Sequence, residues 1–203
     1  MYSQLKSTIE NIEIQHITDS RKAELDKLVH YIQSRKTDNL AVNLNFICTH
    51  NSRRSHLTQI WAQTMARFYK LNEVHCYSGG TEATAMFPKV AETLQLQGFK
   101  IKSISSHNEQ NPIYAIKSGE NEAPIIGFSK TFDHFFNPKS EFGAIMTCSS
   151  ADANCPLIPN ATRISLTYKD PKHSDGSDSQ DEVYAGTSSL IATEMKYVFS
   201  SIY

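Results

Sequence analysis

The chain has 203 residues, 39% of them hydrophobic, and 20 Lys plus Arg stand against 21 Asp plus Glu for a formal net charge of -1. This length suits one substantial core, and the balanced charge excludes the global basic field that draws nucleic acid, so any anion site must be local. No stretch approaches the roughly 20 apolar residues needed to cross a bilayer, and the start MYSQLKSTIENIE has no apolar signal-peptide core, so a soluble, cytoplasmic protein without a membrane partner is expected.

Residues 1–40 are expected to form a helical extension. Leu25, Leu28, Val29 and Ile32 recur at helical spacing after the start signal Thr18-Asp19-Ser20, and Leu5, Ile9 and Ile12 suggest a shorter helix before it. The extension carries no cysteine and no dense polar cluster, which assigns it to packing. A catalytic domain over 41–203 then opens with Val42 to Ile47, a β-prone run ending at Cys48. Leu57, Ile60, Trp61, Met65 and Phe68 follow at helical spacing. Next come a strand at Val74 to Tyr77, a Gly79-Gly80 turn, and a helix from about Phe87 to Gln97 with Pro88 early and Gly98 past its end. Ile113 to Ile116 and Ile125 to Phe128 read as an inserted β-hairpin, Phe142 to Thr147 and Arg163 to Tyr168 as strands, and Ile191 to Ile202 as a final amphipathic helix. Lys172 to Asp181 reads as a flexible loop. The alternation predicts an α/β fold, an open, mainly parallel twisted sheet with helices on both faces. No internal repeat or heptad series is present, and the oligomeric state is left open.

The densest chemistry is the stretch Cys48-Thr49-His50-Asn51-Ser52-Arg53-Arg54-Ser55, between a predicted strand and a predicted helix. Ligands of open α/β sheets bind at the carboxyl ends of strands. A helix start offers backbone N–H groups and the positive end of its dipole, and Arg54 adds a planar fork matched to a tetrahedral oxyanion. The same field favours the thiolate of a cysteine placed there, and the thiolate is the nucleophilic form. The bland reading is a cysteine ending a buried strand beside two solvated arginines. Four cysteines are too few for a disulfide scaffold, so each needs its own role. Cys148 and Cys155, spaced Cys-x6-Cys at a strand end and in the polar loop after it, could close a small-ring disulfide. Cys76, inside an apolar strand, reads as packing. No spacing of cysteines or histidines suggests a metal site, and His16, His30, His75, His107, His134 and His173 are scattered.

These motifs resemble the low-molecular-weight protein tyrosine phosphatase superfamily, and within it the thioredoxin-coupled arsenate reductases. ICTHNSRRS at 47–55, YSGGTEAT at 77–84, TCSSADANCPLIP at 147–159 and YKDP at 168–171 carry the resemblance over roughly residues 42–203. It implies Cys48 as nucleophile, Arg54 as anion clamp, Ser55 as the hydroxyl that steadies the thiolate and Asn51 as the brace of the loop. Thr49, His50, Asn51, Ser52, Arg53, Arg54 and Ser55 would together cradle the oxyanion. Asp170 would be the general acid. The resemblance further implies a relay: Cys48 attacks arsenate, Cys148 attacks the Cys48 sulfur and releases arsenite, and Cys155 leaves a Cys148–Cys155 disulfide for a thioredoxin-type partner. No cofactor is implied.

Three positions depart from the family pattern. His50 stands where a glycine is usual and could need a backbone shape that non-glycine residues seldom adopt. Arg53 replaces a frequent cysteine, and Gln59 replaces an acidic residue common in members that bind structural potassium, so that ion is not expected. Asp170-Pro171 is followed by Lys172-His173-Ser174-Asp175 rather than by the tyrosines that stack on an aromatic substrate, which favours a small inorganic oxyanion. The alternatives are a phosphatase acting through a Cys48 phosphocysteine, which needs only Cys48, Arg54 and Asp170, and a non-catalytic oxyanion-binding or redox-sensing protein.

Overall fold

The computed structural model describes residues 1–105, 110–154 and 158–203. Helices α1 (Ser3–Glu10) and α2 (Asp19–Thr37) precede strand β1 (Val42–Cys48). Thr18 caps α2, its side chain accepting from the Arg21 N–H, with Asp19 in the first turn and Arg35 and Lys36 in the last, where they complement the helix dipole. Leu5, Ile9, Leu25, Leu28 and Ile32 are fully buried in the same core as Leu44 and Phe46 of β1; α2 packs on the sheet, whereas α1 is tied through Gln4 and Thr8 to the carbonyls of Leu96 and Gln97 and through the Ile9 carbonyl to Lys196.

After β1 come helix α3 (Arg54–Phe68), strand β2 (Val74–Gly80), helix α4 (Pro88–Leu96), and strands β3 (Lys100–Ser103), β4 (Tyr114–Lys117), β5 (Ile125–Gly127) and β6 (Phe142–Met146). Helix α5 (Ser149–Asn154), strand β7 (Ala161–Ser165), one 3-10 turn (Pro171–Ser174) and helix α6 (Gln180–Ser200) complete the chain. Strands β2, β1, β6 and β7 form a parallel sheet in that order. The expected hairpin is present as β4 and β5, and β3 joins it to make a separate three-stranded antiparallel sheet. No pattern marked β3 in advance: KIKS is short and mostly exposed.

The sheet's two faces differ. Leu44, Phe46, Ile145 and Ile164 face the large helical core, in which Trp61 of α3 is fully buried and donates to Ser188 of α6 at 2.9 Å. Ile47, Ala144 and Met146 point the other way, into a smaller cluster with Ala151 of α5 and Phe132. Each fully buried Leu or Ile contributes roughly 1.5–3 kcal/mol relative to exposure, so most of the stability lies on the first face.

Three expectations need correction. Gly79 and Gly80 are the last residues of β2, not a turn, paired with Ile47 and Cys48. Ser149–Asn154 is helical where a polar loop was expected, with Asp152 N–H donating to the Cys148 carbonyl at 2.9 Å. The stretch after Pro171 is not a loose loop: it contains the 3-10 turn, and α6 already begins at Gln180. None of the helices of the described residues is long and apolar enough to cross a membrane.

Candidate active site

Strand order decides where the site lies. From β1 the chain runs out to β2 on one side of the sheet, and β6 and β7 lie on the other, so the crevice at the carboxyl ends of β1 and β6 is the topological switch point. Cys48 ends β1 and Cys148 follows β6, which brings both cysteine motifs to this crevice.

Between Cys48 and Arg54 the chain forms a closed loop whose carbonyls are pinned from outside. Thr81 N–H donates to Cys48 O, Glu82 N–H to Thr49 O and Phe87 N–H to Ser52 O, at 3.1, 2.8 and 3.0 Å. The hydroxyls of Thr84 and Ser129 both donate to His50 O, at 3.1 and 3.0 Å. The loop's peptides are trans, so the N–H following each outward carbonyl is turned the opposite way, toward the concave side. Gly80 lies close against the loop: an added Cβ there would be 2.6 Å from Thr49 O and 2.7 Å from Asn51 N.

Inside the loop, Cys48 Sγ lies 3.0 Å from Ser55 Oγ. Asn51 Nδ2 donates to Ser55 Oγ at 2.9 Å while Asn51 Oδ1 accepts from Lys130 N–H at 2.9 Å, so both partners fix the amide's orientation. Ser55 Oγ accepts from Asn51, and its own proton is available to donate to the sulfur once Cys48 is a thiolate. It is Asn51, not His50, that takes the left-handed conformation, at φ 43°, and asparagine is among the residues that tolerate it best. His50 therefore follows the loop without the strain anticipated for it, with its ring half-exposed and 3.7 Å from Glu82.

Arg54 donates from Nη1 to Tyr168 O at 2.9 Å and from Nη2 to Asp170 Oδ2. Asp170 also caps the 3-10 turn, accepting from Lys172 N–H at 3.1 Å. Cys48, His50, Ser52, Arg53, Arg54 and Asp170 line a tight hollow of about 10 Å³, room for about one water, with no Phe, Tyr or Trp among the described residues of its wall. A roomier hollow of about 450 Å³, bounded by Tyr31, Arg35 and Glu141, holds no cysteine among its described lining residues and is not the chemical site. The Arg53 guanidinium turns away from the cradle, toward Asp175 and Tyr184, which leaves only its backbone to the oxyanion role expected of it.

Cys148 is buried beside this loop, with its Sγ 3.5 Å from Thr49 Oγ1 and accepting from Ala151 N–H at 3.3 Å. Cys155 and His107 lie outside the described residues. Cys76 is buried in the main core, where burial pushes its thiol far up, as suits a packing residue.

Sequence reading missed the residues behind the loop. Lys130 is 2% exposed, its ammonium 4.3 Å from the Phe128 ring and 5.4 Å from Phe136. Burial pulls it down to about 7. His56, also buried, is driven to about 3 by burial and then by Lys130, so its imidazole is neutral. A lysine amid FSKTF gives no local signal of burial; only the placement of the three-stranded sheet reveals it. Among the described residues no group of His, Cys, Asp and Glu could hold a metal ion.

No family model matches the chain. Among curated proteins it is similar to arsenate reductase 2 of Staphylococcus haemolyticus, 28% identical over 127 residues, 62% of this chain and 76% of that protein. It is likewise 29% identical to arsenate reductase 2 of Staphylococcus epidermidis over 119 residues, 58% of this chain and 69% of the relative. Among solved structures, an arsenate reductase in the phosphate binding state matches with a TM-score of 0.52 at 16% identity, over 80% of this chain and 99% of that one. A low-molecular-weight phosphotyrosine phosphatase from Vibrio cholerae O395 matches with a TM-score of 0.50 at 16% identity, over 79% and 95%. At such identities the solved structures speak for the fold alone.

Proposed function

The chain belongs to the low-molecular-weight protein tyrosine phosphatase superfamily, on its arsenate reductase branch, and from that standing we propose that it reduces arsenate to arsenite by a three-cysteine relay. One observation carries the reading: the second thiol, Cys148, sits against the nucleophile's own loop, 3.5 Å from Thr49. A phosphatase has no use for a thiol there.

In the proposed sequence, arsenate enters the cradle opposite Arg54 and the Cys48 thiolate attacks arsenic. An oxygen of arsenate leaves as water after Asp170 gives it a proton, and a Cys48–arsenic bond remains. Cys148 then attacks Cys48 Sγ. The sulfur–sulfur bond forms, the sulfur–arsenic bond breaks with its electron pair on arsenic, and arsenic(V) departs as arsenite while two thiols become one disulfide. Cys155 attacks Cys148, expels the Cys48 thiolate and leaves Cys148–Cys155 for an external dithiol reductant of the thioredoxin kind. The absence of aromatic side chains from the hollow's wall supports a small inorganic oxyanion over an aromatic ester. Arg54 bonded to Asp170 favours a second reading, ester hydrolysis, because that pair and Cys48 suffice for it.

The two are separated by assaying arsenate turnover with thioredoxin and its reductase beside hydrolysis of an aryl phosphate, in wild type and in Cys48→Ser, Cys148→Ser and Cys155→Ser. The relay requires arsenate turnover that all three substitutions abolish. Ester hydrolysis that survives Cys148→Ser and Cys155→Ser, in a protein inert to arsenate, would leave the phosphatase reading standing.

A further inference from the structure

Arg53 and Arg54 are consecutive at the entry of α3, and each grips an acidic residue of one turn. Arg54 holds Asp170. Arg53 donates from Nη2 to Asp175 Oδ2 and from Nε to Tyr184 Oη, both at 2.5 Å, and Tyr184 Oη donates to Asp175 Oδ1 at 2.6 Å. The Arg53 guanidinium also lies 4.1 Å from the centre of the Phe87 ring, which packs on buried Tyr184 at 5.7 Å. Both carboxylate oxygens of Asp175 are thus engaged, and the arginine is fixed by an acid, a phenol and a ring.

We infer that Arg53 is a positioning residue that anchors the turn 170–175, so that Asp170 stays at the mouth of the site after Arg54 has exchanged it for the bound anion. The inference rests on the reading of Cys48 to Ser55 as an oxyanion cradle and of Asp170 as general acid. Under that reading the two duties of Arg54 compete. Its fork holds Asp170 in this structure but must face the anion when one binds. A general acid must moreover carry its proton, and a neutral carboxyl forfeits the charge-assisted part of its bond to Arg54. The Arg54 tether therefore weakens at the moment when placement of the acid matters most. The Arg53 tether takes no part in that exchange. Between Asp170 and Asp175 stands only the 3-10 turn Pro171–Ser174, itself braced by Ser174 Oγ donating to Pro171 O at 2.8 Å and by His173 Nδ1 2.6 Å from Asp170 O. Holding Asp175 holds Asp170. Arg53 next to the anion-clamping arginine thus serves the acid turn and not the anion.

Amide hydrogen exchange on the full chain, with and without saturating inorganic phosphate, tests this in wild type, Arg53→Met, Asp175→Asn and Tyr184→Phe. In wild type, phosphate is expected to slow exchange over 49–55 and leave residues 170–177 unchanged. In the variants it should accelerate exchange over 170–177 by about tenfold or more, because the remaining tether is drawn to the anion. Variants whose exchange over 170–177 rises equally with and without phosphate would show a merely stabilising contact and overturn the inference alone. No effect of phosphate on residues 49–55 in wild type would overturn the oxyanion reading and this inference with it. If Arg53→Met fails to fold, the other two variants carry the same test.

Discussion

Cys48 Sγ and Ser55 Oγ stand 3.0 Å apart, and Asn51 donates to the same serine oxygen, which holds the hydroxyl where it can donate to a Cys48 thiolate. A hydrogen bond to a charged acceptor contributes about 1.5–3 kcal/mol. Ser55→Ala is therefore expected to slow alkylation of Cys48 by iodoacetamide at neutral pH about tenfold and to lower turnover by a similar factor, with an unchanged circular dichroism spectrum. Alkylation as fast as in wild type would mean that the serine does not serve the thiolate.

Gly80 is the one position where a single methyl group tests the loop's geometry. Its added Cβ would lie 2.3 Å from Glu82 O as well as against Thr49 and Asn51, all backbone atoms that cannot rotate aside. Gly80→Ala is expected to cost about 2 kcal/mol or more of stability through overpacking and to reduce turnover by at least about tenfold by displacing Thr49 and Asn51. Thermal unfolding and turnover of the purified variant measure both.

Much of this was legible in the sequence. The alternation of β1, α3, β2 and α4 follows from apolar spacing, and the Cys48 loop could be placed because a β-prone run leads directly into a helical period. What was hidden depends on contacts between distant segments. Arg53 looks like an anion ligand until Asp175 and Tyr184, more than a hundred positions on, are found beside it. KHSDGSDSQD looks unstructured because it has no apolar period; it is ordered by local bonds such as Ser174 and Ser177 make and by Asp175 and Asp181 reaching Arg53 and Lys89. Gly79-Gly80 looks like a turn, because the need for a bare backbone at Gly80 comes from the loop packed against it.

Lys130 links the site to pH. Its charged form is disfavoured in the fold, about 7 against the ordinary value of 10.5, although the Phe128 and Phe136 rings partly offset the lost water. Between those values the unfolded chain binds the extra proton, so wild-type stability should rise with pH through this window and the penalty should be complete below 7. Lys130→Met removes the titration. Its stability relative to wild type, from urea unfolding, is expected to decline by on the order of 3 kcal/mol between pH 7 and 10. A constant difference between the two proteins would contradict this.

Arg21 ties α2 to α6 and to the rear of the site. It donates to Glu194, which is 3% exposed, from Nε and Nη2 at 2.7 and 2.8 Å, and it lies 5.1 Å from the ring of Tyr168, whose carbonyl receives Arg54. Arg21→Met strands a buried carboxylate and is expected to cost about 3 kcal/mol or more, while adding Glu194→Met should recover most of the loss. Equal stabilities of the single and double variants would show that Glu194 is not what Arg21 satisfies.

The relay is tested most directly by mapping disulfides after a single exposure to arsenate without any reductant. Peptide mass spectrometry of the wild-type chain should then find Cys148 joined to Cys155, Cys48 reduced, and one arsenite released per chain; Cys155→Ser should stop at a Cys48–Cys148 disulfide. Three thiols still reduced after arsenate, in a preparation that hydrolyses an aryl phosphate, would contradict the account.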